Sequence, residues 1–189
     1  DAANATVEGT WENKVFTSDM AAVAGYLKLL KDAGIPVLWR PFHEAAGKWF
    51  WWGKDAASHK AMWIAMFNYF KAQGLDNLIW VWTTETGDED QYVDIIGRDI
   101  YSKDAETCAS QYAAISATYG NKMITLSECG TVGKISEQWA AGARWSWFMP
   151  WYDGEEEDGT PIVHADEAWW KDAMEQSYVI TRDEVPSME

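Results

Sequence analysis

Apolar residues recur along this chain at two spacings, one typical of helices and one typical of buried strands. Helical spacing, together with capping residues such as Ser18 and glycines beyond the ends, predicts helices over 18–34, 58–73, 104–119, 137–143 and 166–178. Short continuous apolar runs predict strands over 37–42, 78–82, 123–126 and 145–151, with a further strand around 93–96. Helices and strands therefore alternate along the chain.

This alternation predicts an α/β fold, because buried parallel strands need helical crossover connections between them. Right-handed crossovers leave two architectures, a doubly wound sheet or a (β/α)8 TIM barrel. A complete barrel needs eight strands and about 250 residues, whereas the pattern contains only five strands in 189 residues. The count favours one domain over 1–189, a partial barrel that lacks about three N-terminal strands.

The charge of the chain narrows the choice of partners. A net charge of −15 would repel nucleic acid and anionic membrane surfaces, which require a cationic footprint. No apolar stretch approaches the roughly 20 residues of a membrane span. A neutral substrate is therefore expected, with no nucleic acid and no membrane span.

Tryptophan is the unusual feature of the composition. The 14 tryptophans could form a Trp-rich core, or their faces could stack against sugar rings. The two cysteines, Cys108 and Cys129, cannot form a metal cluster by themselves, and neither lies in a metal-binding motif. They are expected to be free, buried thiols, and no metal site is predicted.

Polar residues follow the predicted strands at the positions where a barrel places its catalytic groups. Glu44 follows the first apolar run and Glu128 follows the fourth. Hydrolysis of a glycosidic bond with retention needs a carboxylic acid and, about 5–5.5 Å away, a nucleophilic carboxylate. Either glutamate alone could instead be a helix cap or a salt-bridge partner.

The segment 39–44, Trp-Arg-Pro-Phe-His-Glu, and the aromatic run over 47–53 resemble glycoside hydrolase family 26, whose best-known members are endo-β-1,4-mannanases. In that family, an Arg-Pro-x-His-Glu motif ends the fourth barrel strand. The resemblance implies that Glu44 is the general acid/base and that Trp49, five residues later, stacks against a sugar.

The resemblance continues over 92–101, 125–130 and 147–151, which look like the sixth, seventh and eighth strands of the family. It implies that Tyr101 hydrogen-bonds the nucleophile Glu128, and that Trp151 is the platform under the cleaved sugar. The other residues expected at the site are His43 in the carboxylate network and, at the substrate, Arg40, Asp94 and Trp147.

Two of these residues have an alternative role. His43 could be a core histidine whose hydrogen bonds are satisfied within the fold. Arg40 could pair with Asp94 or Glu128 and orient the site rather than contact the substrate.

The resemblance implies a single catalytic domain over 1–189, comprising strands 4 to 8 of the barrel. Its expected activity is retaining, endo-acting hydrolysis of internal β-1,4 bonds in mannan, glucomannan or galactomannan, without a cofactor. Alternatives are a mixed-linkage β-glucanase, a β-1,3-xylanase, or a carbohydrate-binding relic without catalysis. A polymeric substrate implies action outside the cytoplasm, and the oligomeric state stays open.

Overall fold

The structure, a computed structural model, describes residues 1–83 and 90–186. The chain divides into two compact units, Asp1–Gly97 and Arg98–Glu189. The single catalytic domain expected over 1–189 stays a prediction.

The described residues of the first unit form two helices, two strands and the beginning of a third. They are α1 (Trp11–Asp32), β1 (Val37–Trp39), α2 (Ala56–Ala72), β2 (Leu78–Trp82) and β3 (Ile95–Tyr101), with 3-10 turns at Ala2–Asn4, Ala45–Gly47, Trp51–Gly53 and Asp90–Tyr92. β1 pairs with β2, and β2 with the first residues of β3, both in parallel. The strand predicted over 78–82 is confirmed, and the one predicted over 37–42 ends earlier, at Trp39.

The cap of helix α1 lies eight residues before the predicted one. The Thr10 side chain accepts a hydrogen bond from the backbone N–H of Asn13 at 3.1 Å, so the helix begins at Trp11. The prediction that Ser18 caps this helix is wrong, since Ser18 lies within it. Phe16 is buried four residues before Met20, and this extends the apolar face upstream of Ser18.

Buried aromatic residues form much of the first unit's core. Trp63 of α2 packs edge-on against Trp80 and Trp82 of β2, with ring centroids 5.4 and 4.6 Å apart. Trp49 and Trp51, in contrast, are exposed. The tryptophans therefore divide between buried and exposed positions. The core explanation holds for the buried ones, and sugar stacking by the exposed ones stays a prediction.

In the second unit, the part of the chain that the structure describes forms the end of β3, two more strands of the sheet and three helices. They are α3 (Ala105–Thr118), β4 (Met123–Gly130), α4 (Ile135–Ala140), β5 (Phe148–Pro150) and α5 (Glu167–Met174), with a 3-10 turn at Arg182–Glu184. β4 lies between β3 and β5 and pairs with β5 in parallel. This order of helices and parallel strands confirms the predicted α/β class, that of a partial (β/α)8 barrel.

Two details of the second unit differ from the sequence-based expectation. β4 continues beyond Leu126 to Gly130, so Glu128 lies within the strand rather than after it. The acidic segment after β5 contains a small antiparallel hairpin, β6 (Gly154–Glu155) and β7 (Pro161–Ile162).

The core of the second unit contains both cysteines. Cys108 and Cys129 are free and buried in one apolar cluster with Leu126 and Trp169, as predicted. Burial raises the pKa of Cys108 to about 11 and that of Cys129 to about 12. Both therefore stay protonated at neutral pH and act as small core residues.

None of the helices in the described part of the chain combines the length and apolar character that a membrane crossing requires. Residues 1–83 and 90–186 also contain no group of three His, Cys, Asp or Glu side chains arranged to hold a metal ion.

Candidate active site

The loop after β1 has an unusual backbone. Phe42, Glu44 and Lys48 have φ angles of 52°, 54° and 60°, in the left-handed region that residues other than glycine rarely adopt. Such conformations cost on the order of 1–3 kcal/mol each and persist where surrounding contacts determine them. The glutamate predicted as general acid/base therefore lies in a strained loop.

Three hydrogen bonds hold this backbone. His59, on α2, places Nε2 3.2 Å from the carbonyl oxygen of Phe42, and the indole N–H of Trp52 donates to the carbonyl oxygen of His43 at 2.8 Å. The N–H of Glu44 donates to the carbonyl oxygen of Thr83 at 3.2 Å, just beyond β2. Each residue from Phe42 to Glu44 therefore has one backbone group fixed by the rest of the unit.

Aromatic rings surround the same segment. The His43 ring lies 5.0 Å from that of Phe50, and Phe50 stacks on Trp52 at 4.3 Å with an interplanar angle of 13°. Trp49 is 61% exposed, yet its ring covers Gly47 so closely that a Cβ there would overlap it. The loop thus presents an exposed indole face on a base of packed rings, which is the form that sugar stacking requires.

Arg40 directly follows β1 and contacts a residue just beyond the neighbouring strand, β2. Its guanidinium donates to the Thr83 hydroxyl at 3.5 Å, and Thr83 also accepts the N–H of Glu44 through its carbonyl. Arg40 therefore lies close to the backbone contact of Glu44. Neither its predicted substrate contact nor its alternative pairing with Asp94 or Glu128 is tested by this bond.

Glu128 lies on β4 in the second unit and is 4% exposed. The Tyr101 hydroxyl, at the end of β3, donates to Glu128 Oε1 at 2.6 Å. This is the hydrogen bond that the sequence resemblance implied. A short bond to a carboxylate is among the stronger hydrogen bonds in proteins, so it orients the Glu128 side chain.

A β-bulge directs Glu128 toward Tyr101. Leu126 is opposite Phe148 and Cys129 is opposite Pro150, so three steps along β4 correspond to two along β5. Leu126 and Cys129 both face the apolar core, although regular alternation would place them on opposite faces. Ser127 and Glu128 therefore both turn away from that core, and bulges commonly re-aim side chains beside active sites.

The neighbours of this bulge were not identified from the sequence. Ser127 donates to Asp99 at 2.7 Å, and the His164 ring lies edge-on to Tyr101 at 5.5 Å. A Cβ at Gly130 would lie 2.7 Å from the Tyr101 ring and closer still to His164 Nδ1. A glycine inside a predicted strand signals such a close approach, whereas nothing local marks His164.

Trp151 follows β5 at the carboxyl end of the strand. Its N–H donates to the carbonyl oxygen of Cys129 at 2.8 Å, and its ring lies 5.0 Å from that of Tyr152. The side chain is partly exposed. Its position agrees with the predicted platform role, which stays a prediction.

Two predicted substrate-binding residues lie at the other ends of their strands. Asp94 precedes β3, and its carboxylate accepts the N–H of Trp80 at 2.8 Å. Trp147 precedes β5, and its carbonyl accepts the N–H of Leu126 at 3.0 Å. Both residues therefore lie just before the first residues of their strands, and their expected substrate contacts stay predictions.

Comparison with known proteins identifies the family. The profile of glycosyl hydrolase family 26 matches residues 2–184. The chain belongs to glycosyl hydrolase family 26. It is 36% identical over 191 residues to mannan endo-1,4-β-mannosidase B of Piromyces sp., covering 97% of this chain and 32% of that protein. It is also 36% identical to a mannan endo-1,4-β-mannosidase of Thermothelomyces thermophilus, over 88% of this chain and 35% of that protein.

Solved structures of family 26 proteins agree with the fold. The family 26 domain of an endo-β-mannanase/endo-β-glucanase from Prevotella bryantii aligns with a TM-score of 0.86 at 42% identity, over 97% of this chain and 62% of that chain. A β-mannanase from a symbiotic protist of the termite Reticulitermes speratus, complexed with gluco-manno-oligosaccharide, aligns with a TM-score of 0.85 at 40% identity, over 98% and 59%. This chain thus spans about a third of the curated relatives and about three fifths of these solved chains.

Proposed function

We propose that this chain carries the catalytic carboxylates of a retaining, endo-acting hydrolase that cleaves internal β-1,4-mannosidic bonds of mannan, glucomannan or galactomannan. The observation that carries the proposal is the 2.6 Å hydrogen bond from Tyr101 to Glu128, a carboxylate buried at a bulge in a strand. Support for mannan comes from the family 26 relatives, which are named mannan endo-1,4-β-mannosidases.

In the proposed reaction, a carboxylate oxygen of Glu128 attacks the anomeric carbon. The bond from that carbon to the leaving oxygen breaks, and Glu44 donates its proton to this oxygen. Glu44 then takes a proton from water, whose oxygen attacks the same carbon and releases Glu128. Two inversions leave the anomeric configuration unchanged, and the reaction needs no cofactor.

The surrounding residues have distinct parts in this mechanism. Tyr101 holds Glu128 in one orientation and stabilises its charge before attack. Trp49 and Trp151 offer partly exposed indole faces to the sugars of the polymer. His43, whose carbonyl is fixed by Trp52, belongs to the same loop as Glu44.

The proposed substrate also indicates where the enzyme acts. A mannan polymer is too large to enter a cell, so the enzyme acts in the medium, in the periplasm or on the cell surface. The alternatives within the family are a mixed-linkage β-glucanase and a β-1,3-xylanase, and outside catalysis a carbohydrate-binding relic.

The test is reducing-sugar release from mannan, mixed-linkage glucan and β-1,3-xylan by this polypeptide and its Glu44→Gln and Glu128→Gln variants. We expect release from mannan, lost in both variants, with NMR detecting the β-anomer as the first product. Release from glucan or xylan instead would overturn the substrate. No release from any polymer, with sugar binding unchanged in Glu128→Ala, would overturn catalysis by this chain in favour of the binding relic.

A further inference from the structure

Two side chains outside the Arg-Pro-x-His-Glu motif contact the backbone just before Glu44. The ring Nε2 of His59, on α2, forms a hydrogen bond with the carbonyl oxygen of Phe42. The indole N–H of Trp52, at the end of the same loop, donates to the carbonyl oxygen of His43. Both acceptors therefore lie within two residues of the proposed acid/base.

The conformation of Glu44 depends on these contacts. Phe42 and Glu44 both have positive φ, so this short segment is strained on both sides of His43. If either carbonyl were released, the segment could relax toward ordinary backbone angles. That relaxation would turn the Cα–Cβ bond of Glu44 and move its carboxyl group, while the fold around α2 could persist.

His59 is suited to a fixed, neutral role. It is 3% exposed, and its ring packs edge-on against Trp82 at 4.9 Å and against Phe42 at 6.2 Å. Burial lowers the pKa of His59 below its usual value. The ring is therefore neutral at neutral pH, and its contact with a carbonyl requires the tautomer that carries the proton on Nε2.

We infer that His59 and Trp52 are positioning residues that set the direction of the Glu44 carboxyl for proton transfer to the leaving group. The inference rests on the proposed function of Glu44. The two residues need not touch substrate, because they act through the backbone of Phe42 and His43.

A positioning role differs from a merely structural one in its dependence on the leaving group. Acid catalysis matters most for a poor leaving group such as a sugar hydroxyl and least for 2,4-dinitrophenolate, which leaves without protonation. A misplaced Glu44 should therefore slow cleavage of mannan far more than formation of the glycosyl-enzyme from a 2,4-dinitrophenyl β-mannobioside. General damage to the fold slows both reactions alike.

The experiment compares His59→Leu, His59→Gln and Trp52→Phe in the full chain. His59→Leu and Trp52→Phe remove the donor, and His59→Gln retains an N–H at similar reach. Trp63→Phe is the matched control, because Trp63 lies one turn along α2, is equally buried, and donates to the carbonyl oxygen of Tyr92 at 3.2 Å. It removes a comparable hydrogen bond to a carbonyl outside the Glu44 loop. Because its ring lies 6.5 Å from that of His59, it also measures the effect of disturbed packing beside His59.

We expect His59→Leu and Trp52→Phe to lower kcat/KM on mannan about tenfold, the loss typical of one buried hydrogen bond. Their burst rate on the dinitrophenyl substrate should stay within about twofold of wild type, and His59→Gln should recover most of the activity on mannan. Trp63→Phe should change both substrates in the same proportion. Equal losses on both substrates in His59→Leu would overturn the inference.

A second readout separates this inference from the proposed function. Carbon-13 NMR of labelled glutamate follows the titration of the Glu44 carboxyl, assigned by its absence in Glu44→Gln. We expect His59→Leu to move that titration by about half a pH unit or more, and Trp63→Phe to leave it unchanged. If the wild-type chain cleaves no polymer, the proposed function fails, while an unchanged Glu44 titration in His59→Leu overturns the positioning role.

Discussion

The loop after β1 and the bulge in β4 position a glutamate in different ways. Glu44 is placed through the backbone, by strained φ angles and by side chains that bind main-chain carbonyls. Glu128 is placed through its own carboxylate, which a bulge turns toward the Tyr101 hydroxyl. His59 and Trp52 should therefore affect the Glu44 carboxyl through the backbone, whereas Tyr101 should affect Glu128 by direct contact.

This difference suits the two proposed roles. A nucleophile has to stay ionised and aligned with one carbon atom, and a direct hydrogen bond to the carboxylate serves both needs. An acid/base must gain and lose a proton at successive steps, so the direction of its carboxyl group, which the loop backbone sets, matters at both steps.

The largest expected effect distinguishes the two glutamates. Glu44→Ala should lower kcat/KM on mannan about 10³-fold, the order of a general acid's contribution. With a 2,4-dinitrophenyl β-mannobioside, whose leaving group needs no acid, added azide should speed breakdown of the glycosyl-enzyme and give a β-mannosyl azide. Glu128→Ala with azide and a substrate bearing a good leaving group should give the α-azide, because a single displacement inverts the anomeric carbon. NMR of the azide product reads the result, and the same anomer from both variants would contradict the assigned roles.

Tyr101→Phe tests the direct partner of Glu128. Loss of a hydrogen bond to a charged group should lower kcat roughly 10- to 100-fold, with a smaller change in KM. Steady-state kinetics on mannan measures both. Tyr112→Phe is the control, because Tyr112 packs edge-on against Trp145 and not beside Glu128; equal effects of the two variants would remove the special role of Tyr101.

Gly130→Ala tests the close approach of Tyr101 and His164 to β4. The added methyl group overlaps both rings, so the free energy of unfolding should fall by about 1–3 kcal/mol and the activity should fall as Tyr101 is displaced. Urea unfolding of the variant and of Gly154→Ala, whose Cβ would meet no atom within 4 Å, gives the comparison. Similar midpoints for the two variants would show that β4 tolerates a side chain at Gly130.

The smallest expected effect concerns the exposed indole of Trp49, in the loop after β1. Gly47→Ala should push the Trp49 ring from its place and raise KM for mannan about twofold to tenfold with little change in kcat, since only a stacking contact is lost. Gly25→Ala, on α1 with open space at its Cβ, is the control for the kinetic assay. A fall in kcat at constant KM would instead connect Gly47 to the placement of Glu44.

Much of the fold follows from local patterns. The apolar run over 78–82 predicts β2 correctly, and Asp104 caps α3 at the predicted helix start. Ser18 is a plausible cap by residue type, but the Thr10 side chain accepts the N–H of Asn13 and Phe16 is buried on the same helix, so α1 begins earlier, at Trp11. Sequence patterns therefore predict the presence and type of an element better than its limits.

The candidate site likewise has features that the sequence predicts and features that it does not. Glu44, Glu128 and their place near strand ends follow from the apolar runs and the family motif. The bulge does not, because it depends on how β4 pairs with a strand about 20 residues later. His59 is inconspicuous in the sequence because its acceptor, the carbonyl of Phe42, lies 17 residues earlier.

Asp94 and Trp147 show a further limit of strand patterns. An apolar run places a residue near a strand, but the pairing partners decide where the strand begins. Asp94 pairs with Trp80 before β3 starts, and Trp147 pairs with Leu126 before β5 starts. Both residues therefore precede strands whose opposite ends carry the site.

The most direct test of the account is covalent trapping of the glycosyl-enzyme. The full chain would be incubated with a 2-deoxy-2-fluoro β-mannobioside that bears a dinitrophenyl leaving group, digested, and analysed by peptide mass spectrometry. The account predicts one added mannobiosyl group on Glu128, absent in Glu128→Gln and retained in Glu44→Gln. A label on Glu44 or on any other residue would contradict the assignment of Glu128 as the nucleophile.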